Sequence, residues 1–556
     1  MKNIFITVFI ILMLSSIISA QVELVPPSHK VYQFLNSLYI RNLVTNYYSS
    51  NLPLSRGVIA DYLKNLDITN PNLSETEKSI LSDLKIEFAY DISNKLDNST
   101  SVLPGFNSGQ FFLDSKQKYL YAFADSNTSL FLDGTVLVSH RIFDSESFNK
   151  TSITIGDYGF RLRGTLYHNI GFYLKASSGQ QLNGDSYSRT VAAGLDPKLH
   201  STLKFLSEKY LDSFEGYLRF ETSNRAFDLT MGREAMTLGT GYIDKLFLST
   251  NAVPFDYAKI DLGYKGVKYS YFYGNIRGDS LGVILESKNI IAQRLDICLS
   301  EKIRLGVFES VITANRPISF TYLNPVSFLF SADLTAEKEN RSNAMIGLDI
   351  EILPFKNVGF QSSLLIDDFD FKLIGKDTPA SNNNRFGWQF GIFYSNPLGI
   401  KDLNASLEYT HLDPFLYSHK SNMSQYTNWS LPLGHKLRPN SDEIALKLDY
   451  YFTSRIISTL TIQHQRTGEG FVYDQNGVLI RNYGADINHG EGLYLAKAYF
   501  LDGNRVDQTI ITFHTRFEPI RQYFLDITYT GWLINDKYIS KNYFDQFFYL
   551  TISTDF

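Results

Sequence analysis

Tyr523-Phe524-Leu525-Asp526-Ile527-Thr528-Tyr529 sets Tyr523, Leu525, Ile527 and Tyr529 on one side of an extended chain, with Phe524, Asp526 and Thr528 on the other. The same two-residue rhythm recurs upstream. Phe214, Leu218 and Phe220 alternate with Glu215, Tyr217, Arg219 and Glu221. Ile444, Leu446, Leu448, Tyr450 and Phe452 alternate with Ala445, Lys447 and Asp449. Ile511, Phe513 and Phe517 alternate with Thr512, His514, Arg516 and Glu518. Each segment lasts about ten residues, the length a tilted strand needs to cross a bilayer. A soluble sandwich seldom needs so many long strands with a charged second face. In lipid every backbone N–H and C=O must be paired within the protein, so an open sheet edge is forbidden and closure follows. The fold expected is an all-β transmembrane β-barrel of about 18 antiparallel strands, with 16 to about 20 allowed by boundary error. In the final strand Phe548, Leu550, Ile552 and Phe556 share one face. A terminal aromatic on such a strand resembles the signal read by the outer-membrane insertion machinery.

Composition agrees. The chain has 556 residues with 36 Tyr and 42 Phe, and its mean hydropathy is slightly negative. Beyond the first residues no apolar run is long enough for a membrane-spanning helix. The single cysteine, Cys298, forms no internal bridge, and alternation turns it away from the apolar face as a small filler. A formal charge of −5 without long runs argues against nucleic acid as a partner, because phosphates require a basic surface.

The first hundred residues read differently. Lys2, the apolar stretch Ile4 to Leu14 and the small residue at Ala20 make residues 1–20 a secretory signal, with the mature chain expected near Gln21. From Val22 to about Ile92 the period is helical. Ser28 is placed to cap a helix with Val31, Phe34, Leu35 and Leu38 on one face. Ser55 is placed to cap one with Val58, Ile59, Tyr62 and Leu63. Ser74 and Glu77 form a capping box ahead of Ile80, Leu81, Leu84 and Phe88. Three such helices hold too little core to stand alone, so residues 21–110 are expected to pack on the periplasmic mouth of a barrel formed by 111–556. The polar stretches Gly179 to Pro197, Lys376 to Arg385 and Ser418 to Asp442 suit extracellular loops, and Phe355-Lys356-Asn357 suits a periplasmic turn.

One set of blocks is more distinctive than any periodicity: Gly232-Arg233-Glu234, Gly239-Thr240-Gly241-Tyr242, Leu246-Phe247-Leu248-Ser249 and Pro254-Phe255-Asp256. Later come Tyr322-Leu323-Asn324-Pro325, Gly347-Leu348-Asp349, Ile366-Asp367-Asp368-Phe369, Glu408-Tyr409-Thr410, Leu433-Gly434-His435 and Pro439-Asn440-Ser441-Asp442. In order and spacing this resembles the Wzi-type capsule assembly family of outer-membrane barrels, along most of the mature chain. Leu238, Thr240 and Arg438 depart from it, where an aromatic, a proline and a glycine are usual. The resemblance implies a Gram-negative outer-membrane protein that attaches or organises capsular or exopolysaccharide at the cell surface, lectin-like and without catalysis. Its partners would be that polysaccharide and the outer-membrane lipids. The alternative is a porin or solute channel.

Sugars are held by aromatic faces together with carboxylates, amides and arginine, often weakly and at many repeats. Tyr417, His419, Tyr426, Trp429 and His435 lie in one long polar segment with that mix, which is also that of an ordinary outer loop. Arg233, Glu234 and Asp256 are either a ligand-facing cluster near a strand end or an ion pair shaping the barrel rim. Asp367 and Asp368 would share a cation only in a loop, since neighbours in a strand point to opposite faces. His411, His419 and His435 with Glu408 and Asp442 lack any short ligand spacing, and no nucleophile elbow is present. No catalytic residue, metal or cofactor is therefore expected.

Overall fold

Strands of 8 to 17 residues follow one another along the chain, long enough to cross a bilayer at a tilt. The computed structural model describes residues 21–103, 115–146, 148–196, 199, 209–277, 287–315, 320–329, 342–368, 370–490 and 495–556. The expected signal at 1–20 and the expected boundary at 110/111 lie outside them.

Among the described residues 18 antiparallel strands close into one barrel. They are β1 (Thr128–Asp144), β2 (Thr151–Leu166), β3 (Ile170–Asn183), β4 (Tyr210–Glu221), β5 (Phe227–Glu234) and β6 (Phe255–Tyr264). Then come β7 (Val267–Arg277), β8 (Ser287–Ser300), β9 (Ile303–Ala314), β10 (Ser342–Phe355), β11 (Val358–Asp367) and β12 (Arg385–Ser395). The last are β13 (Leu403–Leu412), β14 (Ser441–Thr453), β15 (Ile456–Glu469), β16 (Asn504–Ile520), β17 (Tyr523–Asp536) and β18 (Lys541–Asp555). Each pairs with its neighbours in sequence, and β18 returns to β1 with Gln546 opposite Asp144 and Asp555 opposite Thr135. Closure leaves no unpaired edge in contact with lipid.

Alternation sorts the two faces as the sequence requires. Leu218, Ile444, Phe452, Phe513, Leu533 and Ile552 point outward and are exposed. Arg219, Glu221, Asp296, Glu309, Glu351 and Glu408 point inward and are buried. Short connections gather at one end: Lys265-Gly266, Glu301-Lys302, Lys356-Asn357, Ser454-Arg455 and Arg521-Gln522. Asn357 takes the left-handed conformation (φ 70°) that so tight a turn demands. The opposite end carries the long connections.

The N-terminal part folds into α1 (Lys30–Ile40), α2 (Arg56–Asn65), α3 (Glu75–Glu87) and the short α4 (Ala89–Ser93). The Ser74–Glu77 capping box forms with both of its bonds. The cap of α1 falls one residue later than expected, at His29, whose Nδ1 accepts from the Val31 N–H at 3.2 Å. Ser55 stands at the cap position of α2 without a side-chain bond. Val31, Leu35, Leu38, Ile59, Leu81, Leu84 and Phe88 form a core that is completed by Leu353, Phe393 and Tyr451 of the barrel wall. Each such side chain stabilises by about 1.5–3 kcal/mol when fully buried, so the helices gain their stability from the barrel. Polar contacts fix the same docking. Lys30 Nζ reaches Glu518 at 3.1 Å, Asp61 reaches Arg225 at 2.5 Å, and Asp83 reaches Arg521 at 2.6 Å. Ser37 Oγ bonds Ser395 and Asn404. All of these contacts lie at the short-turn end, which the helices cover. At the end of α3, burial pushes the Glu87 carboxyl up, but His29 at 2.8 Å, with Lys30 and Arg56, outweighs it and holds Glu87 well below the usual carboxylate range.

The stretch expected as the loop 179–197 differs. β3 runs on to Asn183, and a fifth helix, α5 (Ser186–Leu195), follows. Asp185 caps it through the Ser188 N–H, a bond that lowers the Asp185 carboxyl, and Ala192 and Ala193 face a small core with Phe143, Ile153 and Phe547.

Candidate functional site

Apolar residues inside a long connection must find cover, and the barrel interior supplies it. The connection 235–254, between β5 and β6, turns back into the lumen carrying Met236, Leu238, Leu246, Phe247 and Leu248. The connection 413–440, between β13 and β14, brings Leu416, Tyr417, Tyr426, Leu433 and Leu437 to the same core. The wall contributes Phe272, Ile290, Phe308, Met345 and Leu365. Phe247 stacks on Phe308 with ring centroids 4.1 Å apart. Tyr417 and Tyr426 stack at 5.5 Å, and their hydroxyls donate to the Leu246 and Phe247 carbonyls at 2.6 and 2.8 Å. The Ser249 N–H donates to the Leu433 carbonyl at 2.8 Å. From the other mouth, Asn51-Leu52 pairs as a two-residue ladder with Thr237-Leu238. Ser50 Oγ donates to Asp296 at 2.9 Å, and Lys259 Nζ donates to Asn51 at 3.0 Å. Chain from both ends thus meets inside the barrel.

Charged side chains of the wall hold this filling. Glu408 on β13 accepts from three consecutive main-chain N–H groups, Tyr242, Ile243 and Asp244, at 2.9, 3.3 and 3.2 Å. Gln389 and Gln361 donate to the same carboxylate at 2.9 and 3.2 Å. Successive N–H groups of this kind form a concavity suited to an anion, and here the wall itself supplies the anion. Arg294 on β8 binds Asp296 and Asp349, its Nη1 lying 2.6 Å from Asp349 Oδ2. Gly306 opposite leaves the room: a Cβ there would stand 2.1 Å from Arg294 Nη2 and 2.3 Å from Asp349 Oδ1. Arg385 on β12 joins Asp367 at 3.2 Å, Asp368 at 2.6 Å and the Phe415 and Ser418 carbonyls of the second connection. Asp367 and Asp368 do converge, and an arginine occupies the place considered for a cation.

The residues singled out from sequence divide into three groups. Arg233 and Asp256 face each other across β5 and β6 on the outer surface of the wall, in a two-pronged pair at 3.0 and 2.6 Å. Glu234 points the other way, into the interior, 2% exposed, and neither oxygen has a hydrogen-bond partner among the described residues. The three therefore do not share one face. Tyr417, Tyr426 and His435 are fully buried and brace the two connections against each other, the His435 N–H donating to Tyr417 Oη at 3.3 Å. His419 is buried beside Gln425, its Nδ1 accepting from the Ser421 N–H at 3.1 Å. Trp429 alone of the five stays half-exposed, with the Arg277 guanidinium 4.9 Å from its ring centre. The histidines and acids weighed as an acid–base set are dispersed. His411 pairs with Asp413 at 2.9 Å, Asp442 takes Arg466, and Glu408 holds the main chain just described.

Sequence reasoning passed over the connection 470–503 at the long-loop end. There Tyr499 is 48% exposed, its hydroxyl donates to Asp377, and Lys497 Nζ lies 5.1 Å from its ring centre. Arg481 bonds Asp502 at 3.2 Å and stacks over Tyr483 at 4.8 Å. Tyr473 is exposed where a short hairpin reaches its turn, its ring centre 6.4 Å from that of Phe471. An exposed ring ringed by carboxylates and cations is what a hydroxyl-rich ligand engages, and the signal was available in the tyrosines set among Asp, Asn and Gly.

Fold and interior together define an outer-membrane β-barrel whose lumen is occupied by its own connections. The chain belongs to the family described as Capsule assembly protein Wzi, which matches residues 146–493, more than half of its length. No curated protein sequence matches it. A solved structure titled as Wzi, an outer membrane protein involved in group 1 capsule assembly in Escherichia coli and a carbohydrate-binding β-barrel, superposes with a TM-score of 0.54. It is 13% identical, and the match covers 95% of this chain and 98% of that one. OprD of Pseudomonas aeruginosa superposes more loosely, at TM-score 0.42 and 10% identity over 76% of this chain and 95% of that one.

Proposed function

We propose that the protein attaches or organises capsular or exopolysaccharide at the bacterial surface, in a lectin-like and non-catalytic manner. The observation that carries this reading is the occupied lumen. Wall residues spend their charges on holding the two re-entrant connections, which braces the long-loop end as a platform and leaves poor prospects for a solute channel. Membership of the capsule assembly family supports the same direction. In this reading the long-loop end faces outward, the helices α1 to α4 lie on the periplasmic side, and the apolar outer belt meets the outer-membrane lipids. The terminal Phe556 serves the insertion machinery, after export directed by residues 1–20.

The polymer meets the exposed ring of Tyr499 with Asp377, Lys497, Arg481 and Asp502, and the half-buried ring of Trp429 beside Arg277. Arg233 and Asp256 stand on β5 and β6, the strands before the one that ends at Arg277. Tyr417, Tyr426, His419 and His435 support this surface from beneath, and Glu234 lies below it inside the wall. Weak contacts repeated along a polymer suffice, because many linked sites give avidity that one lacks. The test is a deletion strain complemented with the wild-type gene or with a Tyr499→Ala, Trp429→Ala double variant. Cell-attached polymer should fall while exported polymer stays level, both in the deletion and in the double variant. Unchanged attachment in the deletion strain overturns the reading.

A further inference from the structure

At the short-turn mouth, far from the loops just discussed, a cavity of about 280 Å3 lies between the helical segment and the wall strands β4 to β7. Arg219, Glu221 and Asp228 line it from the wall together with Tyr257, and Tyr48 and Tyr62 face them from the helical side. The three charged residues are buried, and they are partnered only in part. Arg219 Nη2 lies 2.5 Å from Glu221 Oε2 and 3.0 Å from Asp228 Oδ2. Arg219 Nε, Glu221 Oε1 and Asp228 Oδ1 have no hydrogen-bond partner among the described residues. Arg225 Nε, 3.6 Å from Glu221 Oε1, stands beyond hydrogen-bond reach. Buried polar atoms are ordinarily satisfied, so three in one cavity mark places for a ligand's own polar groups.

A second observation concerns the floor. Alternation along β6 places Gly263 on the inner face, after Tyr257, Lys259 and Asp261, and it lines the same cavity. Its φ is outside the left-handed region, and a Cβ would meet nothing nearer than the Arg225 carbonyl at 3.6 Å. Neither backbone nor packing requires glycine there. What its missing side chain provides is room.

The leftover atoms specify the chemistry. They are one donor and two acceptors, and a hydroxyl both donates and accepts. A phosphate or carboxylate, which only accepts, would meet Arg219 Nε favourably but be repelled by Glu221 and Asp228. A bare cation would meet the reverse conflict with Arg219. Lys259 is matched by Asp261 at 2.9 Å and Arg225 by Asp61 at 2.5 Å, and the remaining cations, Arg219 and Lys268, balance Glu221 and Asp228, so the lining carries no net charge to select an ion. The volume falls just short of ordinary ligand pockets, which run from roughly 300 Å3 upward, and suits a single sugar ring rather than a running polymer. We propose that this cavity binds a neutral pyranose, at a site separate from the outer loops and independent of the reading given to them.

Saturation-transfer NMR on the full-length protein in detergent tests this, with the methyl glycosides of glucose, galactose and mannose as probes and glucuronate as the charged control. At least one neutral glycoside should receive saturation and glucuronate should not. Affinity should fall about tenfold or more in Gly263→Phe, which fills the floor, and also in Asp228→Asn. Gly263→Ala, which keeps most of the room, should retain binding, as should Tyr499→Ala at the far end. Heat-modifiable mobility on gels confirms that each variant is a folded barrel. The proposal is overturned if no neutral glycoside receives saturation, if glucuronate binds better, or if Gly263→Phe leaves the signal intact. Loss of signal in Tyr499→Ala alone would also overturn it, by assigning the glycosides to the outer surface.

Discussion

Replacing Glu408 by alanine removes the carboxylate that gathers the Tyr242, Ile243 and Asp244 N–H groups. Glu408 is 2% exposed, so water reaches these donors only if the connection moves. A buried donor left without its partner costs about 1–3 kcal/mol, and bonds to a charged acceptor are stronger than most. Taking the low end for three donors puts the loss at about 3 kcal/mol, or roughly a hundredfold in the population of the open connection. The barrel should persist, because its ladders do not involve this side chain. Hydrogen exchange followed by mass spectrometry is the assay, since amides exchange through local opening. Amides of residues 240–246 should exchange about a hundredfold faster, and those of β15 should be unchanged. Planar bilayers should then show brief conductance steps that the wild type lacks. Glu408→Gln, which keeps one acceptor oxygen, should fall between the two. Exchange at 240–246 equal to wild type in a folded Glu408→Ala barrel would refute the latch.

Arg385→Ala should be severe, at about 3–5 kcal/mol, because it strands the buried Asp367 carboxylate and frees the Phe415 and Ser418 carbonyls. Thermal loss of gel heat-modifiability reads this out, and a Tm equal to wild type would count against it. Phe247→Ala removes a ring stacked on Phe308 and should cost about 3–5 kcal/mol by leaving a cavity, seen as faster exchange in both re-entrant connections. Acid should loosen the helical segment. The folded Glu87 carboxyl is held below its free value of 4.5, so its stabilisation is complete above that pH and fades as pH falls through the depressed folded value. Limited proteolysis between pH 5 and pH 2 should show cleavage within 21–103 rising in wild type, and Glu87→Gln should flatten that rise, about these bounds being set by the carboxylate range.

The barrel was legible because a lipid-facing strand has only one way to place its side chains. Ile444 to Phe452 and Tyr523 to Tyr529 state it in seven to nine residues. The Ser74–Glu77 box was legible because both of its bonds are local. The start of α1 slipped by one residue because the His29 imidazole serves as well as a serine hydroxyl for the Val31 N–H. The interior was harder to read. Polar composition marks 413–440 as a loop but does not say whether it bows outward or turns in. Tyr417 and Tyr426 look like surface rings until their hydroxyls are seen to reach the Leu246 and Phe247 carbonyls, some 170 positions away in sequence. A cue was present: Leu416, Leu433 and Leu437, like Leu246-Phe247-Leu248, are too apolar to be left in water. Arg233, Glu234 and Asp256 were read together as a cluster near a strand end or an ion pair at the rim; Arg233 and Asp256 do pair, and the pleat places Glu234 on the opposite face from them.

The docking of the helical segment dictates an order of assembly. Its berth is made by Thr165 of β2, Tyr217 of β4, Ser395 of β12, Asn404 of β13 and Glu518 of β16, residues scattered over most of the polypeptide. Early strands offer only part of that berth, through Ser129, Thr165 and Tyr217, and the rest comes from strands far later in the chain. The complete berth therefore exists only once the late strands have joined the early ones.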